Sequence, residues 1–157
     1  MNLTIAGLRK LAAEQLLQYR RNRNHLSELR KNAAAARTPG RPRPEDSTAP
    51  RHSGDPPALS PQALRQMRAW VRAIDRVRNE LRNTQPQLER FMNRCFGLDV
   101  PFPKRQSVRA RLLRLSMDLY IAESTAYKWR ETLLDLVLFA AIEAGALSPF
   151  GLMRDEV

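Results

Sequence analysis

The stretch Glu123-Ser124-Thr125-Ala126-Tyr127-Lys128-Trp129-Arg130 holds the side chains best suited to chemistry, and that chemistry is hydrogen bonding rather than bond making. A helix that enters a major groove needs short or hydrogen-bonding side chains in its first turns, because those reach base edges. Glu123, Ser124, Thr125, Tyr127, Lys128 and Arg130 are of that kind, while Ala126, Trp129, Leu133 and Leu134 recur at the spacing that packs the same helix inward. A second set is cationic. Arg65, Arg68, Arg72 and Arg76 fall three or four apart, and Lys104, Arg105, Arg109 and Arg111 cluster further on; all suit phosphate oxygens. The plain alternative for each is a solvated helix face, and for Trp129 it is core packing.

Catalytic readings find little material. Cys95 is the one cysteine, which excludes an intramolecular disulfide and a multi-cysteine zinc site, and its apolar neighbours mark it as a packed thiol. His25 and His52 stand far apart. Asp118, Glu123, Glu131 and Asp135 form no pair that needs catalysis to explain it, and no glycine-rich phosphate loop or Ser-His-Asp set is present. No enzyme, cofactor or metal is expected.

Charge narrows the partners. The 157 residues include 23 Arg and 4 Lys against 16 acids, a net charge of +11. Such an excess meets nucleic acid, an anionic membrane surface or an acidic protein. The most apolar run, residues 133–142, is interrupted by Asp135 and falls short of the ~18 residues that suggest a spanning helix. Residues 1–10 carry no signal-peptide pattern. The expectation is a soluble protein, cytoplasmic in a bacterial host. The charge is uneven, +8 over residues 1–44, −2 over 45–60, +5 over 61–94, +4 over 95–130 and −4 over 131–157. Phosphate affinity is therefore expected from arginines within 65–94 and 104–114, and not from the acidic C-terminal end.

The elements that must position these groups are all helical. Residues 37–59 hold six of the eleven prolines and almost nothing to bury, so a disordered Pro/Arg-rich linker is expected there. Before it, residues 3–36 read as one charged helix with Ile5, Ala12, Tyr19, Leu26 and Ala33 every seven residues and Gln15 and Asn22 in the complementary seam. That pattern suits a short coiled coil, a helix docked on the rest of the chain, or a frayed arm. After the linker, Ser60-Pro61 starts a helix, Pro86 opens a second and Gly97 ends it. Ser107 caps a third running through Tyr120, in which Leu112, Leu113 and Leu115 face the last helix, Glu123 to Ala144. No segment alternates with period two. The class is all-α: an N-terminal helix over 1–36, a linker over 37–59, and a helical DNA-binding domain over 60–157 with a helix-turn-helix at 107–131.

The string Ile121-Ala122-Glu123-Ser124-Thr125-Ala126-Tyr127-Lys128-Trp129-Arg130 resembles the recognition helix of small phage regulators of the RinA and ArpU type, and the helix-turn-helix of sigma-factor region 4. The likeness spans residues 61–147. It departs from the pattern at the turn, where Leu119-Tyr120 stands in place of a glycine, and at the cap, where Ala122 replaces Ser or Thr. The resemblance implies a sequence-specific double-stranded-DNA-binding regulator of late phage genes, a monomer or homodimer. Two relatives in character stay open: a Q-type antitermination factor contacting RNA polymerase, and a packaging adaptor like a small terminase subunit.

Overall fold

The computed structural model describes residues 4–36, 59–101 and 106–147. Five helices account for it, with no strand among the described residues. Most of the linker expected at 37–59 lies outside the described residues, as do Lys104 and Arg105.

Helix α1 (Ile5–Ala36) starts where the Thr4 hydroxyl accepts the Gly7 amide at 3.1 Å. Helix α2 (Pro61–Thr84) starts as the Ser60-Pro61 pair predicts: the Ser60 side chain accepts the Ala63 amide, and proline occupies a position that has no helical acceptor to lose. Gln85 alone separates α2 from helix α3 (Pro86–Phe96), which closes on Gly97 at φ 63°. A left-handed residue there lets the Leu98 amide turn back to the Asn93 carbonyl, and glycine takes that conformation without Cβ strain. Helix α4 (Val108–Asp118) is capped by Ser107, and helix α5 (Glu123–Ala144) ends on Gly145 at φ 83°.

The core is continuous through all five helices. Trp70, Ile74, Val77 and Leu81 of α2 meet Phe91, Met92 and Cys95 of α3, Leu112 and Leu115 of α4, and Ala126, Leu133, Leu134 and Val137 of α5. Helix α1 joins them. Ala12, Ala13, Leu16 and Tyr19 are buried in this cluster, so of the three arrangements open to this helix the docked one is found, against α2 and α5. Ile5, at the head of the seven-residue repeat, stays 68% exposed because the docked stripe begins one turn or more later.

Docking is fastened by polar contacts as well as apolar ones. Arg9 of α1 grips Asp135 of α5 through two parallel bonds, Nε–Oδ1 at 2.8 Å and Nη2–Oδ2 at 3.0 Å. Below it, the Tyr19 hydroxyl donates to Asp75 and accepts from Nη1 of Arg78 at 3.2 Å. The same Arg78 guanidinium donates to Asn93 at 3.0 Å and to Asp99 at 2.6 Å. Arg78 is 6% exposed, so a buried cation ties α1, α2, α3 and the following loop at one point. No helix among the described residues is long and apolar enough to cross a membrane.

Candidate nucleic-acid interface

The first turns of α5 are built from the turn that precedes them. Leu119 caps α4, Tyr120 follows at φ 55°, and the Ile121 and Tyr120 amides return to the carbonyls of Ser116 and Met117 at 3.0 and 3.4 Å. These two bonds are those of a Schellman turn, which wants glycine where Tyr120 stands. Ile121 then drops against the core and aims the chain into α5. The N-cap of α5 is Ala122, with no side-chain cap bond, as its methyl side chain dictates.

From that start Glu123, Ser124, Tyr127 and Lys128 are exposed, and none of the four makes a side-chain hydrogen bond or ion pair among the described residues. Thr125 is half-buried. Arg130 is half-buried too, its guanidinium carbon 6.0 Å from the Phe96 ring centroid, so part of its role is internal. Trp129 packs edge-on against Phe91, with centroids 5.5 Å apart and planes at 88°, while Ala126 and Leu133 are buried beneath. The inward set expected from spacing is thus the set found. On α4 one expectation fails: Leu112 and Leu115 are buried but Leu113 is 45% exposed, since its position turns it away from the layer those two share.

The cations divide into two groups. Arg65, Arg68, Arg72 and Arg76 form one exposed row on α2, and Arg76 is ion-paired with Glu143. This row lies beside the far end of α5: Gln66 donates to the Ala146 carbonyl at 3.0 Å, and Glu143 stands twenty residues beyond Glu123. At ~1.5 Å per residue that is about 30 Å of helix. The row and the first turns of α5 are therefore not brought together. Arg109 is exposed at the start of α4. Arg111 has its guanidinium turned inward, donating to the Cys95 carbonyl at 3.0 Å and the Gln106 carbonyl at 3.4 Å. There it completes the C-terminal end of α3, where a cation is favoured by the helix dipole. Burial lowers the pKa of Arg111, and the nearby Arg130 charge lowers it further, a sign that positive charge accumulates where α3, α4 and α5 meet.

Beside that junction a cleft of about 610 Å³ opens between α3 and α4, with Arg90 and Arg94 on one wall and Arg111 and Arg114 on the other. Its convergence is not legible in the sequence, because the four arginines sit on two helices separated by eleven residues. The i, i+4 spacing of Arg90 and Arg94 is the one signal that could have hinted at it.

Comparison with family models, with curated proteins and with solved structures returns no match for this chain. Among the described residues, fold and site define an arginine-rich arrangement of five helices in which α5 begins with a polar turn whose exposed side chains are unpaired.

Proposed function

We propose that the chain is a sequence-specific DNA-binding regulator that presents the α4–turn–α5 unit as a helix-turn-helix. The observation that carries the reading is the first two turns of α5: Glu123, Ser124, Tyr127 and Lys128 are exposed and make no side-chain bond among the described residues, while Ala126 and Trp129 anchor the same turns from below. Such side chains at a helix start are what base-edge contact in a major groove uses. Net positive charge supplies the salt-dependent phosphate attraction, with exposed Arg109 the nearest cation of the predicted set to the start of α4. Control of late phage genes follows from the likeness of residues 121–130 to the RinA and ArpU pattern and rests on that likeness alone.

The test is binding-site selection from random duplex DNA, followed by Lys128→Ala on the selected site. Losing one base-edge partner costs about 1–3 kcal/mol, so affinity for the selected site is expected to fall about five-fold or more. The thermal midpoint should not move, because Lys128 is exposed and makes no side-chain bond among the described residues. A flat selection, or Lys128→Ala binding the selected site as wild type does, refutes the reading.

A contact with RNA polymerase is favoured by a different observation. Leu113, Met117 and Tyr120 are exposed at i, i+4 and i+7 on the outer side of α4 and its turn. Running the selection with and without host polymerase separates the two: enrichment that depends on polymerase assigns this strip to it.

A further inference from the structure

The cleft between α3 and α4 has a chemistry of its own. Arg90 and Arg114 are exposed on opposite walls and have no ion pair or hydrogen bond among the described residues. Arg94 is held at the rim by Asp118, and Arg111 is fixed deeper by the Cys95 and Gln106 carbonyls. Among the described residues the one carboxylate on the lining, Asp99, is already bonded to Arg78, so it does not neutralise the facing guanidiniums. Leu115, Leu119 and Val100 give the lining an apolar part.

We propose that this cleft binds a small phosphate-bearing organic anion of about mononucleotide size. Three features select that class. The cleft's volume falls in the range of ~300–1,000 Å³ typical of small-molecule sites, which are apolar with a few converging polar groups. Guanidinium is the side chain whose planar fork matches a phosphate's oxygens, and two unpaired forks across a gap can grip one group from both sides. The apolar part of the lining gives the rest of such a molecule, a base or other planar body, a surface to pack against without burying a polar group of its own. A duplex backbone, by contrast, is convex and meets ridges more readily than a recess.

The site goes beyond the DNA reading and does not depend on it. It has a consequence for that reading all the same. A ligand bridging Arg90 and Arg114 would set the spacing of α4 against α3, and α4 leads through the Tyr120 turn into the exposed start of α5. Occupancy of the cleft and presentation of Lys128 would then be coupled.

Isothermal calorimetry on the full chain at physiological salt tests the site, with pyrophosphate and AMP as probes and adenosine as the uncharged control. Saturable binding of either probe with one site per chain is expected, and none for adenosine. Arg90→Gln/Arg114→Gln should weaken that binding about ten-fold or more. Arg20→Gln/Arg21→Gln removes the same charge from exposed, unpaired positions on α1 and should leave it intact. Three results overturn the proposal: neither probe binds; both double variants weaken binding equally, which means diffuse charge; or the cleft variant weakens only a random duplex, which makes the cleft a backbone contact. None of these results depends on whether selection from random DNA succeeds.

Discussion

The two halves of α5 live in different surroundings. Toward its C-terminal end, α1 and α2 clasp it, and its acids are taken: Asp135 by Arg9 in a two-bond fork, Glu143 by Arg76. Toward its start, α3 and α4 support it from below, and Glu123, Ser124, Tyr127 and Lys128 have no side-chain partner among the described residues. The contrast separates cations used to assemble the protein from cations left over. Arginines that meet carboxylates or carbonyls build the fold, Arg9, Arg76 and Arg78 on α1 and α2 and Arg94 and Arg111 on α3 and α4; Arg90, Arg109 and Arg114 are exposed and make no ion pair among the described residues.

The largest disturbance of the clasped half is expected from Arg78→Leu. The guanidinium bonds Tyr19, Asn93 and Asp99 from a buried position, and removing it leaves those groups short of a partner. Breaking a buried charged network from one side costs about 3–5 kcal/mol. Exposure of Asp99 lets water recover part of that, so a loss of about 3 kcal/mol in urea unfolding is expected. Amides of α1 should lose protection from hydrogen exchange, since Tyr19 is its main polar tie to α2. A loss under 1 kcal/mol would mean the knot fastens little.

The open half is open at its surface alone, and Cys95 tests this. Burial pushes its thiol up to about 11 from 9.0, with Arg130 and Arg111 pulling weakly the other way. A raised folded-state value means the native protein keeps a proton that the unfolded chain releases. The resulting stabilisation is fully present below pH 9 and disappears as pH rises through about 11. Two pKa units correspond to on the order of 2–3 kcal/mol. Tyr19, whose phenol is also raised by burial and by Asp75, adds in the same sense. Urea midpoints at pH 8 and pH 11 should therefore converge in Cys95→Ala relative to wild type. An identical pH dependence in the variant would place the thiol in contact with water.

Tyr120 marks where sequence and structure diverge most usefully. A tyrosine in the left-handed region costs about 1–2 kcal/mol, and at 95% exposure this one recovers nothing from packing. Tyr120→Gly is expected to stabilise the chain by about 0.5–1 kcal/mol, the strain relieved less the entropy glycine adds to the unfolded state. If the exposed tyrosine meets a partner, the same variant binds that partner more weakly while melting later. The sequence already showed the missing glycine as a departure at this turn. It also placed the helix boundaries well, because Ser60-Pro61, Pro86, Gly97 and Ser107 act locally. The docking of α1 was one of three arrangements its seven-residue stripe left open, and the choice among them, the Arg78 knot and the α3–α4 cleft were not legible. Each depends on residues far apart in the chain, Tyr19 and Arg78 by 59 positions, and an arginine's type does not say which carboxylate it will find.

The smallest expected effect separates the two cation groups. Arg76 and Glu143 are both more than half exposed, so Glu143→Gln should change stability by no more than about 0.5 kcal/mol. It releases Arg76 into the α2 row, however, and adds one net positive charge there. Where a row lies on a duplex backbone, each additional phosphate contact steepens the fall of log K with log salt by ~0.9. The α2 row stands about 22 Å along α5 from Lys128, fifteen residues before Glu143, near the end of the helix that a groove-inserted start points away from. The expected slope for Glu143→Gln is therefore that of wild type, whereas Arg109→Gln, close to the start of α4, should flatten it by nearly one contact. A steeper slope in Glu143→Gln would instead lay the duplex along the whole of α5 and join the two groups into one interface.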